Sequence, residues 1–75
     1  MTRLPRVTGK DLRDALLRHG FHLTHVRGSH HYLGPPTGVG VITIPVHSAT
    51  ILKPKTLRSI LDQAGLTVEE LIELL

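Results

Sequence analysis

The segment Arg27-Gly28-Ser29-His30-His31-Tyr32 sets two imidazoles beside a glycine and a guanidinium, in a chain of 75 residues with six histidines and no cysteine. Imidazole is the one side chain whose ordinary pKa lies near neutrality, so it gives or takes a proton at working pH. Next to a cation, the chemistry open to it is acid–base catalysis at a phosphodiester. A base at His30 would remove a ribose 2′-OH proton, and the oxygen would attack the adjacent phosphorus. The products would be a 2′,3′-cyclic phosphate and a 5′-OH. This reaction requires proton transfer and stabilisation of the phosphorane charge, and no metal. The alternative is a strand histidine with solvent or backbone partners, and the segment alone does not choose.

The other histidines raise the question of a metal. His22, His25, His30, His31 and His47 could in principle supply imidazoles, but zinc sites use fixed local spacings, usually with Cys or carboxylate partners. From Ala15 to Leu61 there is neither. On a strand, His22 and His25 would fall on opposite faces. No metal and no other cofactor is expected, and His19 reads as structural or solvent-facing. The second motif is Lys53-Pro54-Lys55-Thr56-Leu57-Arg58. A helix start with free N–H groups flanked by lysines is a natural phosphate site; the plainer reading is helix initiation at Pro54 with solvated lysines. Arg27 is the cation nearest His30 in sequence, placed to hold a scissile phosphate or simply to flank a turn. Phe21 and Tyr32 are the only Phe or Tyr residues and Trp is absent, so no aromatic platform for base stacking is expected, and sequence-specific readout should be weak.

Charge and size fit a large anionic partner. All nine Lys and Arg lie between Arg3 and Arg58, against Asp11 and Asp14 as the only acids before Asp62. The remainder, Asp62 to Leu75, holds Asp62, Glu69, Glu70 and Glu73 and no basic residue. So basic a body points to a polyanion such as nucleic acid, or to an ordinary solvated surface. A chain this short makes one domain, 1–75, that buries roughly 60% of its unfolded surface. It has little room for a deep cavity and should work on something extended. No stretch has transmembrane length or the form of a signal peptide, so a soluble, cytoplasmic protein that does not engage membranes is expected.

These residues need elements to position them. Residues 1–6 read as a loose arm. Thr8 to His19 reads as a helix, with Thr8 as cap, Val7 stapling to Leu12, a stripe of Leu12, Ala15, Leu16 and His19, and Gly20 as the stop. Residues 21–26, 30–33 and 40–46 read as strands, with Gly28-Ser29 as a turn, residues 34–38 as a loop, and Pro45 marking an edge or strand end. A second helix starts at Pro54, carries Leu57, Ile60, Leu61 and Ala64, and ends at Gly65. A capping box at Thr67 and Glu70, with a Leu66–Leu71 staple, opens a short last helix. The order is α-β-β-β-α with a short C-terminal helix: an α+β, two-layer fold with helices on one face of a three-stranded antiparallel sheet. Alternation from Leu33 in the core puts His30 and Tyr32 on the open face and His31 on the other.

The blocks Val7-Thr8-Gly9-Lys10, Gly20-Phe21, Gly28-Ser29-His30-His31, Thr43-Ile44-Pro45-Val46-His47, Leu52 to Leu61 and Ala64-Gly65-Leu66-Thr67, in this order, resemble the HicA (YcfA-like) mRNA interferase toxins. The resemblance runs from Val7 onward. It implies a double-stranded-RNA-binding-domain-like fold, cleavage of mRNA independent of the ribosome, and a HicB-type antitoxin that masks the active surface, with a higher-order complex of the two as a further possibility. The family's first histidine after Gly-Ser is usually catalytic, which corresponds to His30; some members carry it one place later, at the position of His31. The chain departs from the family at Leu33-Gly34-Pro35-Pro36-Thr37-Gly38-Val39, where a His-Pro pair and basic residues are common. Phosphate binding then falls to Arg27, Ser29, Lys53, Lys55 and Arg58, with His31 or His47 as helper to His30. The expected function is the toxin of a type II toxin–antitoxin pair, a metal-independent endoribonuclease. The alternatives are a non-catalytic RNA-binding module on the same basic face and an adaptor whose basic body docks an acidic protein.

Overall fold

The computed structural model describes residues 3–75. The chain runs as helix α1 (Gly9–Arg18), strands β1 (His22–Arg27), β2 (His30–Gly34) and β3 (Ile42–Pro45), helix α2 (Pro54–Ala64) and helix α3 (Val68–Leu74). This is the α+β order that the sequence predicts, with strand ends moved. Phe21 precedes β1 and is buried, Gly34 extends β2, and β3 is trimmed to Ile42–Pro45.

Local chemistry sets each helix end. The Thr8 hydroxyl accepts from the Asp11 N–H at 3.1 Å, and the Asp11 carboxylate accepts from the Thr8 N–H at 3.1 Å. Caps of this kind contribute about 1 kcal/mol. Gly9 opens α1 because a Cβ there would land on the Pro45 carbonyl oxygen; only glycine lets the helix start flush against the end of β3. No side chain caps α2, which starts on Pro54 and stops at Gly65 in the left-handed region, φ 72°. At α3 the Thr67 N–H donates to the Glu70 carboxylate at 2.9 Å, and the Glu70 N–H donates to the Thr67 hydroxyl at 3.1 Å. The backbone bond first, then the hydroxyl, holds the Glu70 carboxyl below its ordinary pKa.

The sheet is antiparallel with order β1-β2-β3. Pro45 is the last residue of an edge strand, where a missing N–H is tolerated. Register pairs Leu23, Leu33 and Ile42 on the helix face, and Val26, His31 and Ile44 beside them. Leu12, Leu16, Leu33, Ile44, Leu57 and Leu71 are fully buried between the two layers, each contributing roughly 2 kcal/mol. The acidic last helix closes this core through Leu71, and its end is tied down where Arg18 Nε donates to the Leu74 carbonyl at 2.8 Å. The expectation of a loose arm over residues 1–6 is corrected in its described part. Leu4 packs on the core, since an apolar side chain beside buried Val7 has apolar surface to cover; residues 1 and 2 lie outside the described residues. Among the described residues no helix is long and apolar enough to cross a membrane.

Candidate functional site

The β1–β2 hairpin brings Arg27 and His30 together. They are register partners across the Gly28-Ser29 turn. Gly28 takes φ +60° while Ser29 does not enter the left-handed region, which is the pattern of a II′ turn with glycine in its first central position. Side chains at such directly opposed positions stand about 5 Å apart at Cβ. The Ser29 carbonyl accepts from the Val46 N–H at 2.7 Å. That bond draws the segment after β3 against the turn and sets His47 beside Ser29, with 3.5 Å between Ser29 Oγ and His47 Nε2, the long limit of a hydrogen bond. Behind it, the Thr50 N–H donates to the His47 carbonyl at 2.9 Å and Ser48 takes φ 47°.

The two adjacent histidines part company. His30 is exposed on the open face with Arg27, while His31 is half-buried on the helix face. There His31 Nδ1 lies 3.2 Å from Arg13 Nη1. Arginine has no acceptor, so the ring must accept through an unprotonated Nδ1. Arg13 in turn donates to Asp14 Oδ1 from Nε at 3.0 Å and from Nη2 at 2.9 Å. The structure therefore groups Arg27, Ser29, His30 and His47, and holds His31 apart from them.

The remaining cations are exposed. Arg27, Lys53, Lys55 and Arg58 form no salt bridge among the described residues. Helix α2 packs beside β3, and Lys55 and Thr43 line one shallow depression. Thr43 stands across from Tyr32 on the open face, so Lys55 borders that face at its β3 edge. Lys53 is the N-cap residue of the same helix and Arg58 lies one turn in; among the described residues no hydrogen bond joins either to the hairpin. A cavity of about 510 Å³, lined in part by Phe21, Pro36, Val39 and Ile42, lies at the opposite end of the sheet and includes none of the predicted site residues.

Alternation predicts opposite faces for His22 and His25, and the structure overturns this. The register steps from Leu23↔Leu33 to His25↔Tyr32, leaving Thr24 as the extra residue of a β-bulge. The extra residue returns both histidines to the open face. The His22 ring covers Gly34, where a Cβ would come within 2.7 Å of Nε2. The His25 ring stacks on Tyr32, with centroids 4.1 Å apart and planes 7° off parallel. An imidazole thus sets a second ring against Tyr32, which the count of Phe, Tyr and Trp does not reveal. The signal in the sequence is the break in alternation at Thr24-His25, two polar residues in a row between Leu23 and Val26. Among the described residues no three His, Asp or Glu side chains gather as a metal-holding group.

No curated protein matches the chain. A family model described as the HicA toxin of bacterial toxin–antitoxin systems matches residues 9–66, which span every element described except α3.

Proposed function

The chain belongs to the HicA toxin family of bacterial toxin–antitoxin systems, and from that premise we propose that it is a metal-independent endoribonuclease that cleaves mRNA through His30. Membership implies a cognate antitoxin partner. The observation that carries the enzymatic reading is exposed His30 facing Arg27 across the turn, with His47 held against the neighbouring Ser29. In this reading the chain 1–75 acts as one RNA-cleaving domain.

His30 takes the proton of a ribose 2′-OH as that oxygen attacks phosphorus. The P–O5′ bond then breaks, and the leaving 5′ oxygen receives a proton from a second group. His47 is the better candidate for that group, because Arg13 occupies Nδ1 of His31 on the other face. Arg27 and the Ser29 hydroxyl steady the phosphate that changes charge. Lys53, Lys55 and Arg58 bind neighbouring phosphates along α2. General acid–base steps of this kind supply about 10²- to 10⁴-fold each. A HicB-type antitoxin silences the reaction by covering this basic face, in a complex that can be of higher order.

The test is cleavage of a defined mRNA by purified protein, with end analysis of the fragments. The expected products carry 2′,3′-cyclic phosphate and 5′-OH termini, and are absent with a folded His30→Ala protein. Cleavage by that variant at the parent rate overturns the assignment of His30. Loss of cleavage in EDTA overturns the metal-free chemistry. RNA that binds in a salt-sensitive way yet stays intact after long incubation identifies a binding module instead.

A further inference from the structure

The open face carries a feature that neither the fold nor the cleavage chemistry uses. His25 and Tyr32 stack face to face on the side of the sheet away from the apolar core, so the pair covers none of that core. Its geometry is fixed by the bulge. The Thr24 hydroxyl donates to the Tyr32 carbonyl at 3.0 Å, and its oxygen lies 3.2 Å from His25 Nδ1. Having spent its only hydrogen on the carbonyl, the hydroxyl can only accept, so His25 donates from Nδ1. The chain His25 Nδ1–H to Thr24 Oγ1 to Tyr32 C=O pins the imidazole against the phenol. In the stacked pair His25 is the exposed member and Tyr32 is half-buried, so the imidazole is the ring open to a further stacking partner. Tyr32 follows His30 by two residues on β2, so the two share a face about 6.6 Å apart along the strand. The open-face strand positions include no carboxylate.

We propose that the His25–Tyr32 stack is a nucleobase subsite, which takes one unpaired base of an RNA strand whose neighbouring phosphodiester lies at His30. The proposal rests on RNA being the substrate and adds to that reading the position of one base. Single-stranded RNA is held by sheet surfaces through bases splayed onto aromatic or imidazole rings. Each such stack strengthens binding about 5- to 150-fold and accepts every base, because every base has a π-face. The subsite therefore selects unpaired RNA over duplex, with little preference for sequence.

The experiment titrates the protein into a ten-residue oligoribonucleotide with one internal 2-aminopurine, 2′-O-methylated throughout so that the attacking oxygen is blocked. Stacking quenches 2-aminopurine fluorescence. The expected result is quenching with the parent protein and with His25→Phe, and at least about fivefold weaker binding with His25→Leu, which keeps bulk but no flat ring. The same oligonucleotide with abasic riboses throughout should bind the parent and His25→Leu equally. An equal loss for base-bearing and abasic strands overturns the subsite, since His25 then acts through charge. Absence of quenching with the parent protein overturns it as well. Thermal unfolding of each variant shows that the exposed position tolerates the change. Cleavage of unmodified RNA is read separately: cleavage without quenching removes the subsite and leaves the nuclease, and quenching without cleavage supports the subsite and removes the nuclease.

Discussion

The two faces of the sheet use similar residues for opposite ends. His30 and His31 are neighbours in the chain, and each lies near an arginine, Arg27 for the first and Arg13 for the second. On the open face, exposed His30 stands across a tight turn from Arg27, and His47 lies beside the neighbouring Ser29. On the helix face, His31 is half-buried at the rim of a core that includes Leu33 and Ile44, and its Nδ1 is taken by Arg13, itself held by Asp14. An imidazole transfers protons through a nitrogen that is not already committed, and the Arg13 contact leaves His31 only Nε2. Strand parity, and not residue type, separates the exposed histidine, to which the proposal gives proton transfer, from the one held by Arg13.

Substitutions that act on one face and spare the other test this contrast. The largest effect is expected at His30. The His30→Ala change should lower cleavage about 10²- to 10⁴-fold with an unchanged melting temperature, while His31→Ala keeps cleavage within a few-fold; equal losses in both would erase the distinction. On the helix face, Leu33→Ala removes a fully buried side chain between the layers and should cost about 2–5 kcal/mol in urea unfolding, an effect on stability first and on cleavage only through it. Extending the open face onto α2, the pair Lys53→Glu with Lys55→Glu should weaken RNA binding roughly tenfold or more. It should also flatten the salt dependence by about 0.7 in slope for each phosphate no longer neutralised; an unchanged slope would confine RNA to the hairpin. Arg13→Ala leaves His31 without its partner and should cost about 1 kcal/mol in stability at unaltered cleavage.

The smallest effect lies in the helix layer, at Glu70. Its pKa is lowered in the folded protein by its bonds to Thr67. The ionised carboxylate therefore stabilises α3 at pH values above the ordinary glutamate pKa, and that contribution fades as pH falls through the lowered value. The melting temperatures of the parent and Glu70→Gln should differ near neutrality and converge in acid. A difference that stays constant with pH would show that the charge contributes nothing.

Much of this is legible in the sequence. Helix caps are local chemistry, so Thr8, Pro54, Gly65 and the Thr67–Glu70 box were legible from a few adjacent residues. Strand parity placed His30 and Tyr32 on the open face because Leu33 had to be inside. Legibility stopped where a backbone position depends on a distant one. Gly9 looks like a poor helix opener until Pro45 is found against it. Thr24 looks like an ordinary strand residue until the pairing with β2 shows it to be extra.

The sequence by itself determined the element order, the apolar stripes, the basic body without carboxylates from Ala15 to Leu61, and the Gly28-Ser29 turn between the first two strands. All follow from residue propensity and periodicity over short spans. Only the tertiary structure decided what each histidine touches. It brought His47 to Ser29 through the Val46 bond, gave His31 to Arg13, and turned His25 onto Tyr32 through a bulge. The reason is that strand register and loop return are set by the packing of the whole sheet on its helices, and one extra residue reverses every side chain beyond it.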